Sequence, residues 1–112
     1  MRAEELKGHL DALILAALED GPRHGYAVIE ALRETSGGRL DLPTGTIYPA
    51  LRRLEAAGLI SGSWSVVGGR RRRAYRLTAA GVRALSGKRA DWRDFAAMMS
   101  AALGGRPWPS PA

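Results

Sequence analysis

Apolar side chains at Leu6, Leu10, Leu13, Ile14, Ala17 and Leu18 recur every three to four residues, the spacing of one helix face, and Gly21-Pro22 ends the series. Leu15 falls off that stripe. A second helical stretch is predicted from about Arg23 to Thr35, with Tyr26, Val28, Ile29 and Leu32 as its apolar face and Ser36-Gly37-Gly38 as its stop. Within LPTGTIYPALRRLEAAG, residues 42–58, Ile47, Leu51 and Leu54 mark a third helix, and Gly58 closes it. At ~100° per residue, Gly45, Pro49, Arg52, Arg53 and Ala56 point away from this stripe, with Tyr48 on the flank and Thr46 beside Arg53. Pro49 lacks an N–H and fits only in a first turn, which puts the helix start between Pro43 and Thr46.

After Gly58 the period changes to two. Ile60, Trp64 and Val66 alternate with Ser61, Ser63 and Ser65; Gly68-Gly69 marks a turn; Arg73, Tyr75 and Leu77 alternate with Arg72, Ala74 and Arg76. This pattern predicts a β-hairpin with Arg70, Arg71, Arg72 and Arg73 at its tip and Tyr75 on the buried side. Thr78 is suited to N-cap a long helix reaching about Leu103. Along it Val82, Leu85, Trp92, Ala96, Met99 and Leu103 approximate a heptad seam, with Arg89 interrupting. One small domain cannot bury both this seam and the outer side of the first helix. A second copy of the chain is therefore expected to cover Leu6, Leu10, Leu13, Leu85, Trp92, Ala96, Met99 and Leu103. The tail after residue 103, GGRPWPSPA, is rich in Gly and Pro and is expected to be extended or flexible; Trp108 within it is either untethered or a docking point.

The 112 residues allow one small domain, too little for a large enzyme, and 46% apolar with 25% charged residues is the balance of a chain that folds. The absence of cysteine excludes disulfides, thiolate zinc sites and a cysteine nucleophile. No apolar run approaches the ~20 residues of a membrane span, and MRAEELK lacks a signal-type core behind it, so the expected location is the cytoplasm. The net charge of +6 is unevenly placed: −3 over residues 1–35, +1 over 36–63, +5 over 64–77 and +3 over 78–112. Such focusing points to an anionic partner at the hairpin, with nucleic acid foremost. His9 and His24 have no metal-ligand spacing, and no nucleophile motif or phosphate-binding Gly-rich loop is present, so neither catalysis nor a cofactor is expected.

The resulting fold class is mainly α with a small β-hairpin: a winged helix-turn-helix over residues 1–77, a dimerisation helix over 78–103 and a tail over 104–112. HGYAVIEAL at 24–32, TGTIYPALRRLEAAGLI at 44–60 and GRRRRAYRLTAAG at 69–81, in this order and spacing, resemble the PadR family of bacterial transcriptional regulators. With a single helix after the wing, the chain is similar to that family's short-tailed group. The resemblance implies a dimer, usually a repressor, in which the last helix packs on the partner's first helix. Double-stranded DNA with a pseudo-palindromic operator is then the expected partner, with half-sites about one helical turn apart.

Within that reading Arg70, Arg71, Arg72 and Arg73 meet phosphates or enter the minor groove, the alternative being a solvated turn. One of Arg71 and Arg73 has the option of lying along the sheet instead. Arg52 and Arg53 reach guanine edges or phosphates, and Thr44 and Thr46 anchor phosphate beside the helix N-terminus; the alternative is an ordinary exposed helix face. Gly45 permits close backbone approach or merely loosens the helix start. Tyr48 either bonds a phosphate through its hydroxyl or packs under the wing, and the family's Tyr-Pro pair favours the former. His24 meets a phosphate at the second helix or is a surface histidine. Trp92 is either seam packing or, as the resemblance implies, one wall of a site for a small flat aromatic effector that Phe95 and Met99 also line. A different class of reading remains beside these: a basic winged helix that clamps RNA or a protein partner without reading DNA sequence.

Overall fold

A computed structural model of the chain describes Leu6 and residues 8–104. The expectations for the Pro-rich tail, Trp108 included, lie outside the described residues. The elements are α1 (Leu10–Ala17), β1 (Arg23–His24), α2 (Gly25–Thr35), α3 (Thr44–Ala56), β2 (Ile60–Val67), β3 (Arg70–Leu77) and α4 (Ala79–Ala102). Helices α1, α2 and α3 pack on one another, and α2 and α3 pack on the root of an antiparallel sheet of order β1-β3-β2. The core comprises Ile14, Leu15 and Leu18 before β1, Val28, Ile29 and Leu32 from α2, and Ile47, Leu51 and Leu54 from α3. Ile60 and Tyr75 close it from the sheet. Each such side chain contributes about 1.5–3 kcal/mol on burial.

Two features depart from the periodic reading. Leu15 is completely buried beside Ile14, because α1 packs against α2, α3 and α4 together and so buries a wider arc than one stripe. Arg23 and His24 open no helix; they form β1 and pair with Tyr75 and Ala74 of β3. Two residues carry no readable period, so this strand exists only through its tertiary partner. Arg23 Nε also donates to the Ala17 carbonyl at 2.7 Å, satisfying an acceptor at the end of α1.

Helix α3 starts at Thr44 with Pro43 as its cap, inside the expected window. Pro49 therefore sits in the second turn rather than the first. A proline there removes the N–H that would reach the Gly45 carbonyl, and its ring crowds that carbonyl. Gly45 is exposed with open space around its α-carbon, so the helix start has room to adjust.

Thr78 caps α4: its hydroxyl oxygen accepts from the Gly81 N–H at 3.0 Å, and the hydroxyl donates to the Gly58 carbonyl at 2.6 Å. One side chain thus ties the end of α3 to the start of α4. Gly81 is buried so closely on the Leu59 carbonyl oxygen that any β-carbon would overlap it. At 1.5 Å per residue, the 24 residues of α4 span about 36 Å in a molecule 62 × 27 × 24 Å in extent. Only its first half is embedded. Leu85 is buried, and Arg89 makes two hydrogen bonds of 2.7 and 2.8 Å to the Glu19 carboxylate after α1. This bonding holds the Glu19 carboxyl below its ordinary range.

The seam is consequently shorter than expected. Leu6 and Leu85 are 6% and 3% exposed within a single chain, so they belong to its own core and not to an open dimer surface. Leu10 and Leu13 are half-buried. Trp92, Phe95, Met98, Met99 and Leu103 are exposed along the second half of α4, with Ala96 half-buried among them.

Candidate nucleic-acid interface

Hairpin geometry sorts the wing arginines. Gly68 and Gly69 have φ of 59° and 79°, and Val67 pairs with Arg70, so the strands are joined by a two-residue turn of the type that needs two left-handed residues. Alternation along β3 places Arg71, Arg73 and Tyr75 on one face and Arg70, Arg72 and Arg76 on the other. Tyr75 is buried, which makes its face the inward one, and burial pushes its phenol pKa up. Farther out than Tyr75 on the inward face stands Trp64, paired across from Arg73. The Arg71 and Arg73 guanidinium carbons lie 4.7 and 5.3 Å from the Trp64 ring centre, close enough for cation–π attraction. Arg73 is thus half-buried along the sheet and Arg71, though exposed, lies against Trp64, while Arg70 and Arg72 are exposed on the other face.

Arg73 is held further. Its guanidinium pairs with Glu55 near the end of α3, and Glu55 Oε2 also accepts the Gly62 N–H of β2 at 3.2 Å. The third helix and the wing are thereby joined through one carboxylate. The face of α3 away from the core presents Thr44, Gly45, Pro49, Arg52 and Arg53, all exposed, with Thr46 half-buried. The two arginines are not equivalent: Arg53 pairs with Asp11 of α1, whereas Arg52 projects into solvent.

At the wing root, His24, Tyr26, Tyr48, Trp64, Arg71, Arg73 and Tyr75 help line a concave space of about 460 Å³. The Tyr48 ring lies against Gly25, where a β-carbon would come within 2.6 Å of it. Tyr48 is half-buried, its ring among the residues that line this space. His24 is likewise no plain surface histidine: it is half-buried at the α2 cap, with Nδ1 3.4 Å from the Arg73 carbonyl oxygen. Glu55, Asp11 and Trp64 are site residues that the sequence does not single out. Charge counting finds the arginines, but their tethers lie 18 and 42 positions away in the chain. The cross-strand pairing of a tryptophan with arginines is the one local signal for Trp64.

On the exposed half of α4, the rings of Trp92 and Phe95 are 5.8 Å apart, and the His9 ring meets Trp92 edge-on at 5.6 Å. Met99 lies farther along the same helix, 37% exposed. Sequence spacing weighs His9 only as a metal ligand and gives no sign of its place beside Trp92. Among the described residues, no His, Asp and Glu cluster suited to a metal ion occurs, and no helix is long and apolar enough to cross a membrane.

Comparison with known proteins gives this geometry a family. The family model for the transcriptional regulator PadR-like family matches residues 14–87. A PadR family transcriptional regulator from Eggerthella lenta superposes with a TM-score of 0.80 at 31% identity, covering 92% of this chain and 88% of that one. A PadR family regulator from Clostridium difficile gives a TM-score of 0.76 at 36% identity, covering 87% of this chain and 100% of that one. In sequence, a transcriptional regulator of Mycobacterium tuberculosis is 42% identical over 74 residues, 66% of this chain and 56% of that protein. The chain is a winged-helix, DNA-binding transcriptional regulator and belongs to the PadR-like family.

Proposed function

We propose that the protein is a dimeric repressor that reads a pseudo-palindromic operator with α3 and the wing, and that a small planar effector between subunits releases it. The observation that carries the DNA-reading half is the Glu55–Arg73 link. It joins the exposed Arg52 face of α3 to the outward Arg70 and Arg72 of the wing as one unit. Thr44, Thr46 and the N-terminal turn of α3 suit phosphate anchoring, and Arg52 is the candidate for guanine recognition. Arg53 supplements it on leaving Asp11, and His24 and Tyr48 border the phosphate path at the wing root. Gly45 supplies a side-chain-free surface where the backbone nears DNA.

Dimerisation is supported by the apolar side chains that α4 leaves in solvent, since Trp92, Phe95, Met98, Met99 and Leu103 gather on one half of one helix. Leu10 and Leu13 on α1 and Ala96 on α4, all half-buried, would extend that surface in a dimer. A planar effector would stack on Trp92 with Phe95 and Met99 as further walls. Competition in a mobility-shift assay tests the regulator reading. A palindromic duplex from the DNA upstream of the protein's own gene should survive excess random duplex. Equal displacement by random DNA or by RNA would instead favour a non-specific anion clamp.

A further inference from the structure

We infer that Glu55 is a positioning residue for DNA binding, an acidic side chain whose contribution to affinity is favourable because it fixes the wing against the reading helix. An acid this close to a DNA-binding surface should, on charge alone, repel phosphate and weaken binding. The geometry shows what it does instead. Glu55 is the penultimate residue of α3 and binds β2 through the Gly62 N–H and β3 through Arg73, so one carboxylate holds both strands of the hairpin. A glycine suits position 62 because the Arg73 guanidinium crosses its α-carbon: a β-carbon there would lie 2.5 Å from Arg73 Nε. The guanidinium then stacks beneath Trp64, and Arg71 lies against the same ring.

The chain of groups Glu55, Arg73, Trp64, Arg71 therefore runs from the end of α3 out along the inward face of the wing. Its consequence is on the opposite face. With the inward arginines fixed, strand alternation aims Arg70 and Arg72 outward at a set angle to α3, so both binding surfaces meet one duplex without a further ordering cost. Arg73 is then a tether and not a phosphate ligand.

This inference rests on the DNA-reading proposal, and the test separates the two. Glu55→Gln and Arg73→Gln are made singly and together, and affinity for operator and random duplex is measured with each protein. In the free proteins, amide exchange at Gly62 is followed by NMR. A tether gives Glu55→Gln a loss of operator affinity on the order of tenfold, although the variant is more positive by one charge. The double variant then loses no more than Arg73→Gln alone, and Gly62 exchanges faster in all three. Unchanged or tighter operator binding by Glu55→Gln, or losses that multiply in the double variant, would overturn the assignment and return Arg73 to the DNA-binding set. If the parent itself binds operator and random duplex equally, sequence reading fails. The tether is then judged by random-duplex affinity and Gly62 exchange, which unchanged values would refute.

Discussion

Arg52 and the wing arginines differ in what they can recognise, and their replacement separates sequence reading from charge. Arg70 and Arg72 project from the outward face of β3, so replacing both with Ala should weaken binding to every duplex alike. It should also reduce the slope of log affinity against log salt by about 2, close to one for each phosphate no longer neutralised. Arg52→Ala should instead narrow the ratio between operator and mutant sites, by about 1–3 kcal/mol if it holds a guanine bidentately. Titrations at several salt concentrations check both; an unchanged salt slope in the wing variant would move the phosphate-binding groups elsewhere. At this scale the sequence showed the charged atoms but not their restraint. Arg70 and Arg73 look alike in a run of four, and only the buried Tyr75 fixes which of them faces inward. Arg53 likewise gave no sign of Asp11, since that pair forms through packing of α1 beside α3.

The helices and hairpin were legible because each buries one face: a spacing of three to four marked α1 to α3, period two the hairpin, and Gly68-Gly69 its turn. What escaped was set by neighbours, as with the two-residue β1, buried Leu15 and the second-turn Pro49. Gly81 is another such position, and it supports a stability prediction. Gly81→Ala forces α4 off the Leu59 carbonyl, a strain of about 1–3 kcal/mol, which should lower the thermal midpoint by about 5 °C or more. A melt that stays at the parent's midpoint would show that α4 shifts freely. The Glu19–Arg89 pair that holds α4 on α1 has a defined pH sign. Because the Glu19 carboxyl is held below its ordinary range, its stabilisation is complete above that range and is lost as pH falls through the lowered value. The difference in melting temperature between parent and Arg89→Gln should therefore shrink on acidification from about pH 7, read by circular dichroism. Both groups are exposed, so the effect is small, and a constant difference would show that the pair contributes nothing to the folded state.

For the whole molecule, the exposed half of α4 is the feature that a single chain leaves incomplete. Trp92 beside Phe95 and His9 forms an aromatic surface that is exposed among the described residues. Sequence periodicity showed this seam but overextended it, because Leu85 and Leu6 have the same apolar character as Met99 and Leu103 and differ only in being inside. In the proposed dimer, a second copy covering the seam would set two α3 helices and two wings about a common axis, matching a two-fold operator. Hydroxyl-radical footprinting on the DNA upstream of the protein's gene tests that arrangement most directly. A dimeric reader protects two symmetric half-sites with centres about one helical turn apart. Protection of a single half-site, or uniform protection without symmetry, would contradict it.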